Sequence, residues 1–144
     1  MDSRNGDAVR VSPARSVWKH DAAKEFATAE RCHILETYNA AADESLSIAR
    51  ARVEPGVTTA WHAVEGTVEH YIIVEGRGRV ELGDSAAEEV GPGDVVVIPA
   101  GVRQRIMNAG TTDLIFYCVC TPRFQARNYR ALRAADGWWL MANG

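Results

Sequence analysis

The sequence predicts an all-β fold, and three features of it carry that prediction. Glycine, in places with proline, punctuates the chain about every ten residues, at Gly56, Gly66, Gly76, Gly83, Gly91-Pro92-Gly93, Gly101 and Gly110. Between these breaks apolar and polar residues alternate, and a period of two marks a strand with one buried face. Apolar runs such as Tyr71 to Val74 and Val95 to Ala100 are of strand length and far too short to cross a membrane. Many short strands between turn signals make a sandwich or barrel of two antiparallel sheets.

Length and composition bound the rest. A chain of 144 residues is of single-domain size, and 47% apolar with 24% charged residues is the balance of a water-soluble globular domain. A formal charge of -3 without any Lys/Arg run gives no case for nucleic acid. The N-terminal stretch lacks a hydrophobic signal core, so the expected address is cytoplasmic. Of three cysteines, Cys118 and Cys120 stand two apart on one strand face, a spacing that does not favour a mutual disulfide, and all three are expected as reduced, buried thiols.

In chain order, residues 1–15 are polar, carry Gly6 and Pro13, and are expected to be flexible. Residues 16–125 are expected to form the domain proper with an N-terminal extension, and 126–144 a C-terminal helix and tail. Asp21 to Glu30 is rich in helix formers behind a capping Asp and predicts a short helix. Cys32 to Tyr38 predicts a strand with His33, Leu35 and Thr37 on one face and Cys32, Ile34, Glu36 and Tyr38 on the other. Leu46 to Val53 predicts another, in which Arg50 and Arg52 share a face. Thr58, Ala60, His62 and Val64 share one strand face, and the Glu65-Gly66-Thr67 break predicts a hairpin into a strand that carries Glu69, Tyr71 and Ile73 on one side. His70 falls on the opposite side. After Pro99-Ala100-Gly101, the residues Val102, Gln104, Ile106 and Asn108 share a face. Leu114 to Thr121 is nearly continuous in apolar residues and predicts a strand covered on both sides; Pro122 ends it. Phe124 to Ala134 predicts an amphipathic helix packed through Phe124, Tyr129 and Leu132. Trp138, Trp139, Leu140 and Met141 are too apolar for a solvated end and are expected to pack on the barrel or on a second subunit, making a homodimer.

Paired as a hairpin, the strands around residue 66 aim His62 and Glu69 into one interior. A carboxylate among Ile73 and Val64 is costly to bury alone, and a divalent cation shared with His62 is one partner that relieves the cost. Gln104 is the polar group its own strand can offer to the same space, and Tyr71 lies on the Glu69 face.

These two stretches resemble the cupin family. Its first motif reads here as Gly56, His62, Glu69 and Gly76, with Val64 where a second histidine stands in the family. Its second reads as Gly93, Pro99, Gly101 and Asn108, with Gln104 in place of a histidine. The resemblance implies a double-stranded β-helix. It also implies a divalent metal ion (Zn, Fe, Mn or Ni) held by His62, Glu69 and Gln104, with His33 as a replacement imidazole from an early strand. The chemistry expected from so hard a donor set is Lewis-acid catalysis with Glu69 and Tyr71 as catalytic residues: cyclisation, isomerisation or lyase action on a small keto, phenolic or polyketide-like molecule. A dioxygenase is an alternative. Another is a metal-free binding module in which Arg50 and Arg52 hold a ligand carboxylate.

Overall fold

The computed structural model describes residues 16–132, so the expected flexible segment 1–15 and the Trp138-Trp139 tail lie outside the described residues. In chain order the strands are β1 (Phe26–Ala27), β2 (His33–Tyr38), β3 (Ser47–Val53), β4 (His62–Val64), β5 (Val68–Glu75), β6 (Gly78–Leu82), β7 (Glu88–Val90), β8 (Val95–Ile98), β9 (Gln104–Asn108), β10 (Leu114–Thr121) and β11 (Tyr129–Ala131). They form a six-stranded sheet in the order β1-β2-β3-β10-β5-β8 and a five-stranded sheet in the order β11-β4-β9-β6-β7, antiparallel throughout. The inner faces share one core, in which Val53, Ile73, Ile98, Leu114 and Phe116 of the larger sheet meet Val80, Val90 and Ile106 of the smaller. This is the all-β architecture that the glycine spacing and alternation predict, in the double-stranded β-helix form that the resemblance implies.

The motif residues build its corners. Gly76 has φ +85°, and a Cβ there would lie 2.6 Å from the carbonyl oxygen of Asp113, so no side chain is tolerated between β5 and β6. Asn108 ends β9 as a clip: its Nδ2 donates to the carbonyls of Val53 and Thr112 at 2.9 and 2.7 Å, and its Oδ1 accepts from Gly110 N at 2.9 Å.

Three expectations need correction. The break at Glu65-Gly66-Thr67 is not a hairpin: β4 and β5 belong to opposite sheets, and the turn carries the chain across the barrel. His62 and Glu69 still face one interior, because the inner faces of both sheets do. The helix expected over 21–30 shrinks to a single 3-10 turn, Ala22–Lys24, capped by Asp21, after which Phe26–Ala27 pairs with β2. The C-terminal helix is likewise only a 3-10 turn, Ala126–Asn128, and Tyr129–Ala131 then extends the smaller sheet alongside β4. There Leu132 is buried with Trp61 and Ala63. Phe26–Ala27 pairs with the neighbouring β2 and Tyr129–Ala131 with β4 some sixty-five residues earlier, and in both segments strand pairing overrode local helix propensity.

Candidate functional site

Inside the barrel, at the end where β4, β5, β9 and β10 converge, the sheets leave a cavity of about 350 Å³. Each element delivers its residues by strand parity. Gln104 opens β9 directly opposite His62. On the facing sheet Glu69 and Tyr71 of β5 stand opposite Cys120 and Cys118 of β10. Glu69 and Gln104 are 7% and 1% exposed, so these polar groups depend on each other for hydrogen bonds.

They form one chain. The Tyr71 hydroxyl donates to Gln104 Oε1, and Gln104 Nε2 donates to Glu69 Oε1. The remaining carboxylate oxygen, Oε2, faces the Cys120 thiol at 3.8 Å. Burial pushes the Glu69 carboxyl up from its usual range, against the pull of the His62 charge and the Gln104 hydrogen bond, and the nearby Glu30 pushes it further. Because Oε1 is taken by an N–H donor, a proton on Glu69 sits on Oε2. Burial also raises the Tyr71 phenol well above its usual value, with Glu69 adding to it, so Tyr71 stays protonated and its proton is committed to Gln104. Burial lifts Cys120 and Cys32 to about 12, and Cys118 rises well above the ordinary thiol range; all three are free thiols.

His62 is set from the other side. Its Nδ1 lies 2.9 Å from the carbonyl oxygen of Ala60, which can only accept, so Nδ1 carries the proton and Nε2 is the basic nitrogen of the neutral ring. Nδ1 also lies 3.3 Å from Oε2 of Glu30. The Tyr129 hydroxyl donates to that same oxygen at 2.6 Å, and the Tyr129 ring stacks on the imidazole with centroids 5.5 Å apart. Glu30 and Tyr129 were invisible to motif reading, since they lie far from both motifs in segments that look helical. Glu30 lies in the turn before β2, and Arg31 after it has φ +67°, so strand alternation could assign it no face.

The structure thus brings His62, Glu69, Gln104 and Tyr71 together and leaves out His33. In β2 it is the Cys32 and Ile34 face that turns inward; His33 points outward, its Nε2 3.1 Å from Glu54. Arg50 and Arg52 are outward too, held by Glu25, with Arg52 also on Asp113. His70 pairs opposite Val119 and Val97, on the outer face, and Trp61 lies under the guanidinium groups of Arg103 and Arg105. A second hollow of about 540 Å³, between residues 16–24 and the outer side of β2, contains none of the motif residues.

The donors as arranged do not fit a divalent metal ion. The amide oxygen of Gln104, its one metal-binding atom, accepts from Tyr71, and its amide nitrogen is aimed at the carboxylate that would be the next ligand. Val64 contributes no donor, and His33 is on the wrong face. Among the described residues no three His, Cys, Asp or Glu side chains gather as a metal site requires, and no buried side-chain nitrogen or oxygen is left without a partner for a cation to satisfy.

Comparison with known proteins gives the lineage. The sequence profile described as the cupin domain matches residues 49–120, half of the chain. An uncharacterized protein of Methanocaldococcus jannaschii is 36% identical over 78 residues, which are 54% of this chain and 62% of that protein, so the match spans less than two thirds of its length. Among solved structures, Pac13, described as a unique nucleoside dehydratase, superposes with a TM-score of 0.66 at 18% identity, covering 82% of this chain and 92% of that one. The structure of a predicted oxalate decarboxylase from Thermotoga maritima superposes with a TM-score of 0.58 at 27% identity, covering 63% of this chain and 80% of that one.

Proposed function

Given that this chain belongs to the cupin family, we propose that its cavity moves protons on a small oxygenated molecule, a keto or phenolic compound, in an isomerisation or a lyase step such as dehydration. The observation that supports this most is the presence in one cavity of an imidazole whose basic nitrogen is Nε2 and a buried carboxyl with raised proton affinity. An imidazole with a free basic nitrogen beside a carboxyl whose burial favours its acid form is a general base beside a general acid. Nε2 of His62 takes a proton from carbon beside the carbonyl. Glu69 Oε2, in its acid form, gives one to the carbonyl oxygen or to the departing hydroxyl. Glu30 stabilises the imidazolium that forms, while Gln104 and Tyr71 hold the Glu69 carboxyl in place.

Pac13 supports the ligand class: it is a dehydratase, and its variants with a histidine or a tyrosine replaced were solved with uridine. The metal-dependent alternative requires Gln104 to turn its oxygen away from Tyr71 and Glu69 to give up its amide donor.

The test follows hydrogen exchange by NMR in heavy water, with acetophenone and α-hydroxyacetophenone as probes. The full chain is expected to exchange the protons beside the carbonyl, His62→Gln to lose about a hundredfold of that rate or more, and chelator-treated protein to keep it. Equal rates for His62→Gln and the unsubstituted chain overturn the proposal. So does a stoichiometric metal in untagged protein whose removal abolishes exchange.

A further inference from the structure

We infer that the cavity selects by charge: its ligand carries a protonated amine on an apolar or aromatic body, and molecules bearing carboxylate or phosphate are turned away. This rests on the reading of the cavity as the substrate site and adds the charge of the substrate to it.

Three carboxylates, Glu30, Glu36 and Glu69, stand on the cavity wall, and among the described residues no Lys or Arg stands there. The nearby guanidinium groups are engaged elsewhere. Arg50 and Arg52 are outside on Glu25, Arg31 donates to the carbonyl of Thr58 at 2.8 Å, and Arg130 is on Glu65. His62 is the one base on the wall, and even as imidazolium it offsets a single carboxylate. The imbalance is greatest at Glu69, more than nine-tenths buried, whose Oε2 meets only the Cys120 thiol at 3.8 Å, a long contact with a weak donor. Glu30 and Glu69 both line the cavity, and an ammonium group between them favours the carboxylate form of Glu69, whereas a neutral ligand leaves Glu69 as the acid.

The rest of the wall agrees. Tyr71 and Phe116 pack with ring centroids 4.4 Å apart, and Tyr129 stacks on His62, so a cation entering the cavity meets aromatic rings as well as carboxylates. An anion meets the same rings and carboxylates with no counter-charge, in a space where low polarity strengthens every repulsion.

The full chain is titrated by calorimetry near neutral pH with three molecules of one shape: phenethylamine, phenethyl alcohol and phenylacetate. The amine is expected to bind about tenfold tighter than the alcohol, or better, and phenylacetate to give no binding heat. Glu69→Gln keeps an amide-accepting oxygen for Gln104 but cannot become the carboxylate that an ammonium group would stabilise, and is expected to bring the amine-to-alcohol ratio to within about threefold. Glu36→Gln, at the exposed rim, is expected to lower that ratio by a smaller factor and serves if Glu69→Gln fails to fold. The inference is overturned if the amine binds no tighter than the alcohol, if phenylacetate binds as tightly as the amine, or if the ratio is unchanged in the folded variants. The exchange assay with neutral ketones reads the proton-transfer proposal separately, so the two can fail independently.

Discussion

Asn108 and Glu69 are both motif residues, both almost fully buried, and they do opposite things for the molecule. Asn108 spends its whole amide on backbone groups of Val53, Thr112 and Gly110. Asn108→Ala leaves those groups buried and unpaired and is expected to cost about 2–4 kcal/mol, read as a lower urea midpoint with little change in the amine affinity. Glu69 destabilises when it ionises. Its unfolded value is near 4.5 and its folded value is higher, because burial disfavours the charged form. The stability it lends is therefore whole below the unfolded value and lost as pH rises through the folded one. Glu69→Gln removes that loss. The variant and the unsubstituted chain are expected to melt together in acid, the variant rising a few degrees higher at mildly alkaline pH; a gap that does not change with pH refutes this. Motif spacing singled out His62, Glu69 and Gln104 and strand alternation added Tyr71, and the four do share one interior because alternation fixes the face of each. It misplaced His33 because alternation says which residues share a face but not which face turns inward. For β2 that was decided by β3 and the cavity, with Ile34 and Cys32 the inward pair.

Among the elements, β11 shows why sequence reading stopped short of the complete site. Phe124 to Ala134 has the composition of an amphipathic helix, yet Tyr129–Ala131 pairs with His62–Val64, some sixty-five residues earlier. No local pattern records a partner so distant. The pairing has a functional consequence, since it places the Tyr129 ring on His62 and its hydroxyl on Glu30. Leu132 fixes the strand's end, its N–H donating to the carbonyl of Trp61 at 3.2 Å and its side chain buried against Trp61 and Ala63. Leu132→Ala keeps the backbone bond but empties that contact, at an expected cost of about 2–3 kcal/mol. The amine titration should weaken with it, because the segment that orders Tyr129 and Glu30 is loosened. Full retention of binding in a destabilised Leu132→Ala protein counts against a role for β11 in the site.

At the scale of the whole molecule, the outer side of the larger sheet carries an unusual load. Ile72 and Val74 on β5 and Val95 and Val97 on β8 are 41%, 42%, 56% and 54% exposed, and the pairing of Ile72 with Val95 makes them one continuous patch at the sheet's edge. Such a surface asks for cover. A second copy of the chain is the occupant expected here, for a reason of charge. The four apolar residues carry no charge among them, with His70 on one side and Glu75 at the end of β5, so a two-fold axis through the patch sets apolar groups on apolar groups and leaves Glu75 at its margin. β8 also ends its sheet, leaving an edge that a copy can protect. Sedimentation at high micromolar concentration is expected to show a dimer. Ile72→Asp with Val97→Lys places charges on the patch without touching the inward residues Tyr71, Ile73, Val96 or Ile98, so the doubly substituted chain is expected to sediment as a monomer with its cavity and exchange activity intact. A monomer from the unsubstituted chain, or a dimer that survives both charges, puts the interface elsewhere.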